Sequence, residues 1–365
     1  MLHDGAEIIK ATSTKYTLMG KISIEDGSNY STELRQGCEL ISTAVFMVHQ
    51  PLGGCARPTR LIMRQKAGSV IKAVTTLIES FVSLKAVEKN VGAQLTGAVW
   101  SACDEILTKL PKGNRACMRR ELFTWVGECN ETMQEFQDLI ELGPEDETES
   151  ASTSEGQEKE KDSGGGIEVE GEEWDDFCEN MGTGEQYTLK EMPIVTASLA
   201  LVKCSRGIIG LAMKACECAG QVVASLETDD DNHNQEDDNQ EEEEATVRKM
   251  AILQWISDLH EMCWTIGVGA TDLGCVMYPP LDLSSTTTAS DDTQDWAKTE
   301  LGSQVLQQKT CLLSAAHAIN NPVLVQGGVI EMSEEVKEMC SKLLSAIETR
   351  ADEVEMGISD ELSNK

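Results

Sequence analysis

The chain has 365 residues and a net charge of −33, from 63 acidic and 30 basic side chains. Its length suggests about two domains. An acidic excess of this size argues against general nucleic-acid binding, which depends on neutralising phosphates, and against anionic membrane surfaces for the same reason.

Aromatic residues make up only 4% of the chain and there are only eight prolines, while Ala, Leu, Val, Ile and Met are plentiful. That composition favours helices over a β-sandwich or barrel. The opening Met1-Leu2-His3-Asp4 lacks the basic region and apolar core of a secretory signal. No uninterrupted apolar run of about 18 residues occurs, so no membrane span is expected. The thirteen cysteines are odd in number and scattered, and in an intracellular protein they are expected to stay reduced.

Two acidic stretches punctuate the chain. Residues 143–187 carry sixteen Asp and Glu against two Lys and include the triglycine Gly164-Gly165-Gly166 and a Ser/Thr-rich patch from Ser150 to Ser154. No apolar period crosses this segment. It cannot bury enough surface to offset its ordering entropy and reads as a disordered acidic linker. A second run, residues 227–244, has eleven acids and no base and reads as an acidic loop. Together the two hold −25 of the −33, and residues 1–142, with sixteen acids and sixteen bases, are neutral.

In chain order, residues 2–19 are weakly periodic, with Ala6, Ile9 and Tyr16 able to share a face. From Thr32 the period is clear: Leu34, Cys38, Ile41, Val45 and Val48 alternate spacings of four and three, the stripe of a bundle helix. Pro51, Gly53 and Gly54 end it. The next helix starts near Pro58, a favourable early position, and carries Ala67, Val70, Val74, Leu77 and Phe81. A further helix runs from Val91 through Leu95, Val99, Ala102 and Ile106 to Pro111-Lys112-Gly113. Asn114 is placed to cap the one after it, whose stripe is Met118, Leu122, Trp125, Cys129, Met133, Phe136 and Ile140. These four or five helices, joined by short turns, predict an antiparallel bundle over residues 1–142.

After the linker, Ile194, Ala197, Leu201, Cys204, Ile208, Leu211, Ala215, Cys218 and Val222 keep a period near 3.5. Val195, Leu199, Val202, Ile209 and Met213 make this helix apolar on more than one side, so it is expected at the centre of its domain. The following helix runs from Ile252 to Met277 and halts at Tyr278-Pro279-Pro280. Residues 281–293 form a Ser/Thr/Asp loop. Two last helices carry Leu301, Val305, Leu312, Ala315 and Ile319, then Met332, Val336, Leu343, Ile347, Val354 and Ile358. Residues 188–365 thus predict a C-terminal four-helix bundle. The fold class is all-α: two antiparallel helical bundles joined by an acidic linker.

No constellation for chemistry emerges. Cys216-x-Cys218, with Cys204 twelve residues upstream, lacks the knuckle spacing and converging ligands of structural zinc. These cysteines fall on apolar stripes and read as small core residues. His260-Glu261 is followed by Trp264 where a zinc protease would place its second His. His49 suits a helix C-terminus, and His317 reads as a packing histidine. Gly267-x-Gly269-x-x-x-Gly274 follows no strand and lies within a helical period, which suggests close helix packing rather than a nucleotide loop. The chain is therefore read as non-enzymatic, with no cofactor and no metal.

Two basic clusters stand out in the neutral N-terminal region: Arg57, Arg60 and Arg64 on one helical face, and Lys112, Arg115, Arg119 and Arg120 around the next cap. Most surface charge of this kind is simply solvated. The sharper alternative is a face on which the acidic linker docks. Ser152, Thr228 and Thr288 each precede an acid by three residues and are candidate phosphorylation sites for acidophilic kinases.

Particular stretches resemble the cyclin-D-interacting protein family: Ala98-Val99-Trp100-Ser101-Ala102-Cys103 with Pro111 and Asn114-Arg115-Ala116, then Leu199-Ala200-Leu201-Val202-Lys203 after an acidic insert, then Asp272-Leu273 leading into Tyr278-Pro279-Pro280. The resemblance spans most of residues 31–365. It implies two helical bundles similar to vinculin- and talin-type modules. It also implies a non-enzymatic, Id-like regulator that binds D-type cyclins and helix-loop-helix transcription factors and dampens them by sequestration, in nucleus and cytoplasm. Trp100, Tyr278, Pro279 and Pro280 are its structural signature here. Amphipathic helices on a flexible charged cord suit a protein that binds other helices. The alternative is a cytoskeletal or adhesion scaffold.

Overall fold

The computed structural model describes residues 1–18, 23–50, 54–82, 91–144, 186–229, 239–283, 295–322 and 330–363. Among them are nine α-helices and no β-strand, so the protein is all-α. In chain order they are α1 (Leu2–Leu18), α2 (Ile24–His49), α3 (Arg57–Val82), α4 (Val91–Lys109), α5 (Gly113–Glu141), α6 (Glu191–Asp229), α7 (Asn239–Cys275), α8 (Glu300–Asn320) and α9 (Glu334–Ser363). The linker apart from its first two and last two residues, and most of the loop at 281–293, lie outside the described residues.

The chain divides into two compact units. Unit 1 gathers Met1–Thr124, Leu211–Met262 and Ala318–Lys337, and unit 2 gathers Trp125–Gly210, Cys263–His317 and Glu338–Lys365. Helices α5 to α9 each contribute one stretch to each unit.

In unit 1, α1 to α4 form an up-down-up-down bundle, with α1 antiparallel to both α2 and α4. Lys10 meets Asp104 and Thr17 meets Thr96 along α1 and α4, while Thr12 meets Glu33 of α2. The core consists of Ala6, Ile9, Leu34, Ile41, Val70, Val74, Leu77, Val99 and Ile106, almost all from the expected stripes. Each large aliphatic among them is worth about 1.5–3 kcal/mol of burial.

The weakly periodic first segment is a true helix, because Gly5 and Gly37 let α1 and α2 cross backbone to backbone. A Cβ on Gly5 would stand 2.7 Å from the Gly37 carbonyl oxygen. Helix α2 starts eight residues before the expected Thr32. Ser23 caps it by accepting the Asp26 N–H at 3.0 Å, and Glu25 and Asp26 sit favourably in the first turn. That Ser-x-x-Asp signal was present in the sequence but was hidden by the Gly27-Ser28 pair.

In unit 2, the chain re-enters at Gln186, and Tyr187 is fully buried with its hydroxyl donating to the Met277 carbonyl at 2.6 Å. Burial pushes its phenol well above the ordinary range. Thr188 and Glu191 form a reciprocal capping box. The Glu191 carboxylate accepts the Thr188 N–H at 2.8 Å, and the Thr188 hydroxyl accepts the Glu191 N–H at 3.3 Å. The second Glu191 oxygen accepts the Leu281 N–H at 2.8 Å, which ties the start of α6 to the chain beyond the prolines.

Helix α6 is buried on more than one side over Ile194, Val195, Leu201, Val202, Ile208, Ile209 and Leu211, with Thr196, Lys203 and Arg206 exposed along the remaining stripe. Its stretch Glu191–Val222 is long and apolar enough to cross a membrane by length and composition, and 67% of the most apolar window is buried inside the fold. Burial on that scale is what a core helix shows.

The acidic run at 227–244 is partly helical: α6 continues to Asp229 and α7 begins at Asn239. Glu243 and Glu244 are exposed near the start of α7.

Candidate functional site

The two arginine clusters begin from a shared latch. Asn114 does not cap its own helix, contrary to expectation. Its Oδ1 accepts the Ala56 N–H at 2.7 Å and the Thr59 hydroxyl at 2.8 Å, and its Nδ2 donates to the Gly54 carbonyl at 2.9 Å. A single amide thereby satisfies the first turn of α3 and fixes it to the first turn of α5. Gly113, which opens α5 with φ +83°, supplies the left-handed turn that this approach requires.

The six arginines fare differently. Arg57 pairs with Glu261 of α7, and its own N–H donates to the Ser257 hydroxyl at 2.9 Å. Arg115 reaches Glu217 of α6 at 3.2 Å. Arg120 donates to the Lys109 carbonyl at 3.3 Å. The Arg119 guanidinium lies 5.3 Å over the ring of Phe123, which is half exposed. Arg60 is half-buried and Arg64 exposed on α3. The exposed pairs are worth about 0.2–1 kcal/mol each. Whether residues 143–187 dock on it lies outside the described residues.

Beside this latch is a pocket of about 250 Å³, lined by Gly113, Asn114, Arg115 and Met118 of α5, Cys216 and Gly220 of α6, and Leu253 and Ile256 of α7. All eight residues belong to unit 1. Met118, Cys216, Leu253 and Ile256 are buried. Burial pushes the Cys216 thiol up to about 12, which favours its neutral form. Sequence periodicity marks Met118 and Ile256 as core positions. It cannot show a void, which arises only where three helices meet without filling the space.

The signature residues lie on α4 and just beyond α7. Trp100 is partly exposed on α4, donating its indole N–H to the Thr14 hydroxyl at 3.1 Å, with Lys10 5.8 Å from the ring. Tyr278 donates to the Glu135 carboxylate and packs edge-on against Phe136 at 5.0 Å between ring centroids. The hydrogen bond to Glu135, with some burial, raises its phenol to about 12. Pro279 and Pro280, joined by a cis peptide bond, follow directly and break the chain from α7.

The three glycines at 267, 269 and 274 mark close approaches, as the sequence suggested. A Cβ there would meet Trp125 at 3.0 Å, Gln308 at 2.1 Å and Thr132 at 2.9 Å respectively.

Among the described residues no group of three or more His, Cys, Asp or Glu could hold a metal. His49 places Nδ1 2.8 Å from the Val45 carbonyl at the end of α2, the helix-end role expected of it. His317 is exposed, not packed, because it faces outward from the last turn of α8. Ser152 and Thr288 lie outside the described residues, and Thr228 is described only by its helical backbone.

Residues 1–142 match the family model described as Grap2 and cyclin-D-interacting, N-terminal. A search of curated proteins found no match to the chain.

Proposed function

We propose that the protein is a non-enzymatic regulator that binds D-type cyclins, a reading that rests on the similarity of residues 1–142 to the family model described as Grap2 and cyclin-D-interacting, N-terminal. The family is a protein-interaction family, and the match over residues 1–142 is the observation that carries the reading. The helical architecture supports it: long amphipathic helices pack on one face and leave the other available to helical partners.

The finer proposal is that the protein also binds helix-loop-helix transcription factors, sequesters its partners in cytoplasm and nucleus, and so modulates cell-cycle progression and transcription. Phosphorylation at Ser152, Thr228 or Thr288 would add negative charge to segments already acidic and tune these contacts.

Co-precipitation of the endogenous protein tests the reading. A D-type cyclin or a helix-loop-helix factor in the recovered complexes supports it. Recovery of actin-linked proteins with neither partner class would replace it with the scaffold alternative.

A further inference from the structure

We propose that the pocket at the start of α5 seats an apolar side chain from an acidic segment of a partner protein. The cationic stripe beside it would read the carboxylates flanking that side chain. The inference does not depend on which partner the protein binds.

Three independent observations converge on this place. The first is the void. At about 250 Å³ it is smaller than the ~300–1,000 Å³ usual for small-molecule sites, and a single bulky side chain suits it better than a cofactor. Its floor is apolar: Met118, Cys216, Leu253 and Ile256. Gly220 is on its wall, and a Cβ built there meets nothing within 4 Å, so a larger side chain has room beside the void.

The second is charge. Arg115 stands on the pocket wall, and Arg119 and Phe123 follow at i+4 and i+8, so all three share one face of α5. Arg119 and Phe123 are exposed and stacked, and the Arg115 side chain is 63% exposed. Exposed Lys112 and Arg120 add to the field, while Glu217 of α6 accepts from Arg115 and Glu121 lies half-buried on α5. In a chain of net charge −33 this is a cationic outpost.

The third is placement. The first turn of α5 has no acidic residue. Arg115 sits in that turn, at the positive end of the helix dipole, where a cation is unfavourable for the helix itself and where an anionic ligand is favoured. An acidic segment with one apolar anchor satisfies the void, the charge and the dipole together.

The test uses the full chain and a short fluorescein-labelled peptide with one phenylalanine flanked by glutamates, followed by anisotropy. The proposal expects saturable binding at low salt that weakens at high salt and falls about tenfold when the peptide phenylalanine becomes serine. Gly220→Leu, which fills the pocket at a helical site with open space, is expected to weaken binding about tenfold or more while the thermal unfolding temperature is held or raised. Arg119→Glu is expected to weaken it as strongly. Arg64→Glu, the same charge change on α3, is expected to have little effect.

Unchanged affinity in Gly220→Leu overturns the pocket, and equal losses from Arg64→Glu and Arg119→Glu reduce the binding to diffuse attraction and overturn the site. Absence of binding overturns both. Binding that emerges only when residues 145–185 are deleted assigns the site to the chain's own acidic stretch. Concentration-dependent self-association abolished by Gly220→Leu assigns it to a second copy. Either result overturns an external partner.

Discussion

Gly269→Ala and Gly210→Ala are chemically identical substitutions inside long helices, yet the structure gives them opposite signs. In a helix interior, alanine is favoured over glycine by about 1 kcal/mol. At Gly210 of α6 a Cβ meets nothing within 4 Å, so that gain should be realised.

At Gly269 of α7 the new Cβ would stand 2.1 Å from Gln308 Oε1 and 3.2 Å from its Cδ. Gln308 is buried, and its amide is held by donation from Nε2 to the Ser205 hydroxyl at 2.8 Å and the Ile266 carbonyl at 3.0 Å. Relieving the clash moves the amide off both partners. Leaving that buried donor unsatisfied costs about 1–3 kcal/mol, and the added volume costs about 1–3 kcal/mol more. Set against the helix gain, the net is a loss of about 1–5 kcal/mol.

Urea unfolding followed by far-ultraviolet circular dichroism measures both variants. Gly269→Ala is expected to be less stable than the parent protein and Gly210→Ala slightly more stable. Introduced into a Gln308→Ala background, Gly269→Ala should lose most of its cost, because the obstructing amide is gone. A Gly269→Ala protein as stable as the parent would refute the assignment of Gln308 as the group that keeps this position a glycine.

Other predictions concern the polar anchors. Glu191→Gln weakens the acceptor for both the Thr188 and Leu281 N–H groups, and Thr188→Ala removes the other half of the capping box. Each is expected to lower stability by about 0.5–2 kcal/mol in the same unfolding assay, with less than additive loss in the double variant. Tyr187→Phe strands the buried Met277 carbonyl and should cost about 1–2 kcal/mol.

The Glu105 carboxyl is held down to about 2, first by the hydrogen bond from Lys109 and then by that from Lys66, against an ordinary value of 4.5. A lowered carboxylate contributes stability that is present above 4.5 and is lost as pH falls through about 2. The deficit of Glu105→Gln, measured by urea unfolding from pH 6 downward, should therefore shrink across that window. A deficit independent of pH would contradict the assignment.

The helices were legible wherever an apolar stripe was strong. Leu34, Ile41, Val70, Val74 and Val99 lie in the core because their spacing put them on one face. The stops at Pro111-Lys112-Gly113 and Tyr278-Pro279-Pro280 were equally plain, since proline removes a donor. Where stripes gave out, caps carried the information: Ser23-x-x-Asp26 and Thr188-x-x-Glu191 are both short enough to read in sequence and both set a helix start.

Partners distant in sequence could not be read. Asn114 looked like the cap of its own helix because nothing local reveals Ala56 and Gly54, which lie 58 and 60 positions earlier in the chain. The glycines at 267, 269 and 274 were recognisable as packing residues, but Trp125, Gln308 and Thr132 as their neighbours were not. The arginine clusters were visible as charge. The void beside them was not, because Met118, Cys216, Leu253 and Ile256 read individually as ordinary core residues.

The central claim is that this helical protein works by binding a D-type cyclin. Isothermal titration of the purified full chain with a purified D-type cyclin tests it most directly. The account predicts saturable binding at micromolar concentration or tighter, about −8 kcal/mol or better. No heat and no complex at cyclin concentrations a hundredfold higher, from a chain whose circular dichroism is fully helical, would contradict it.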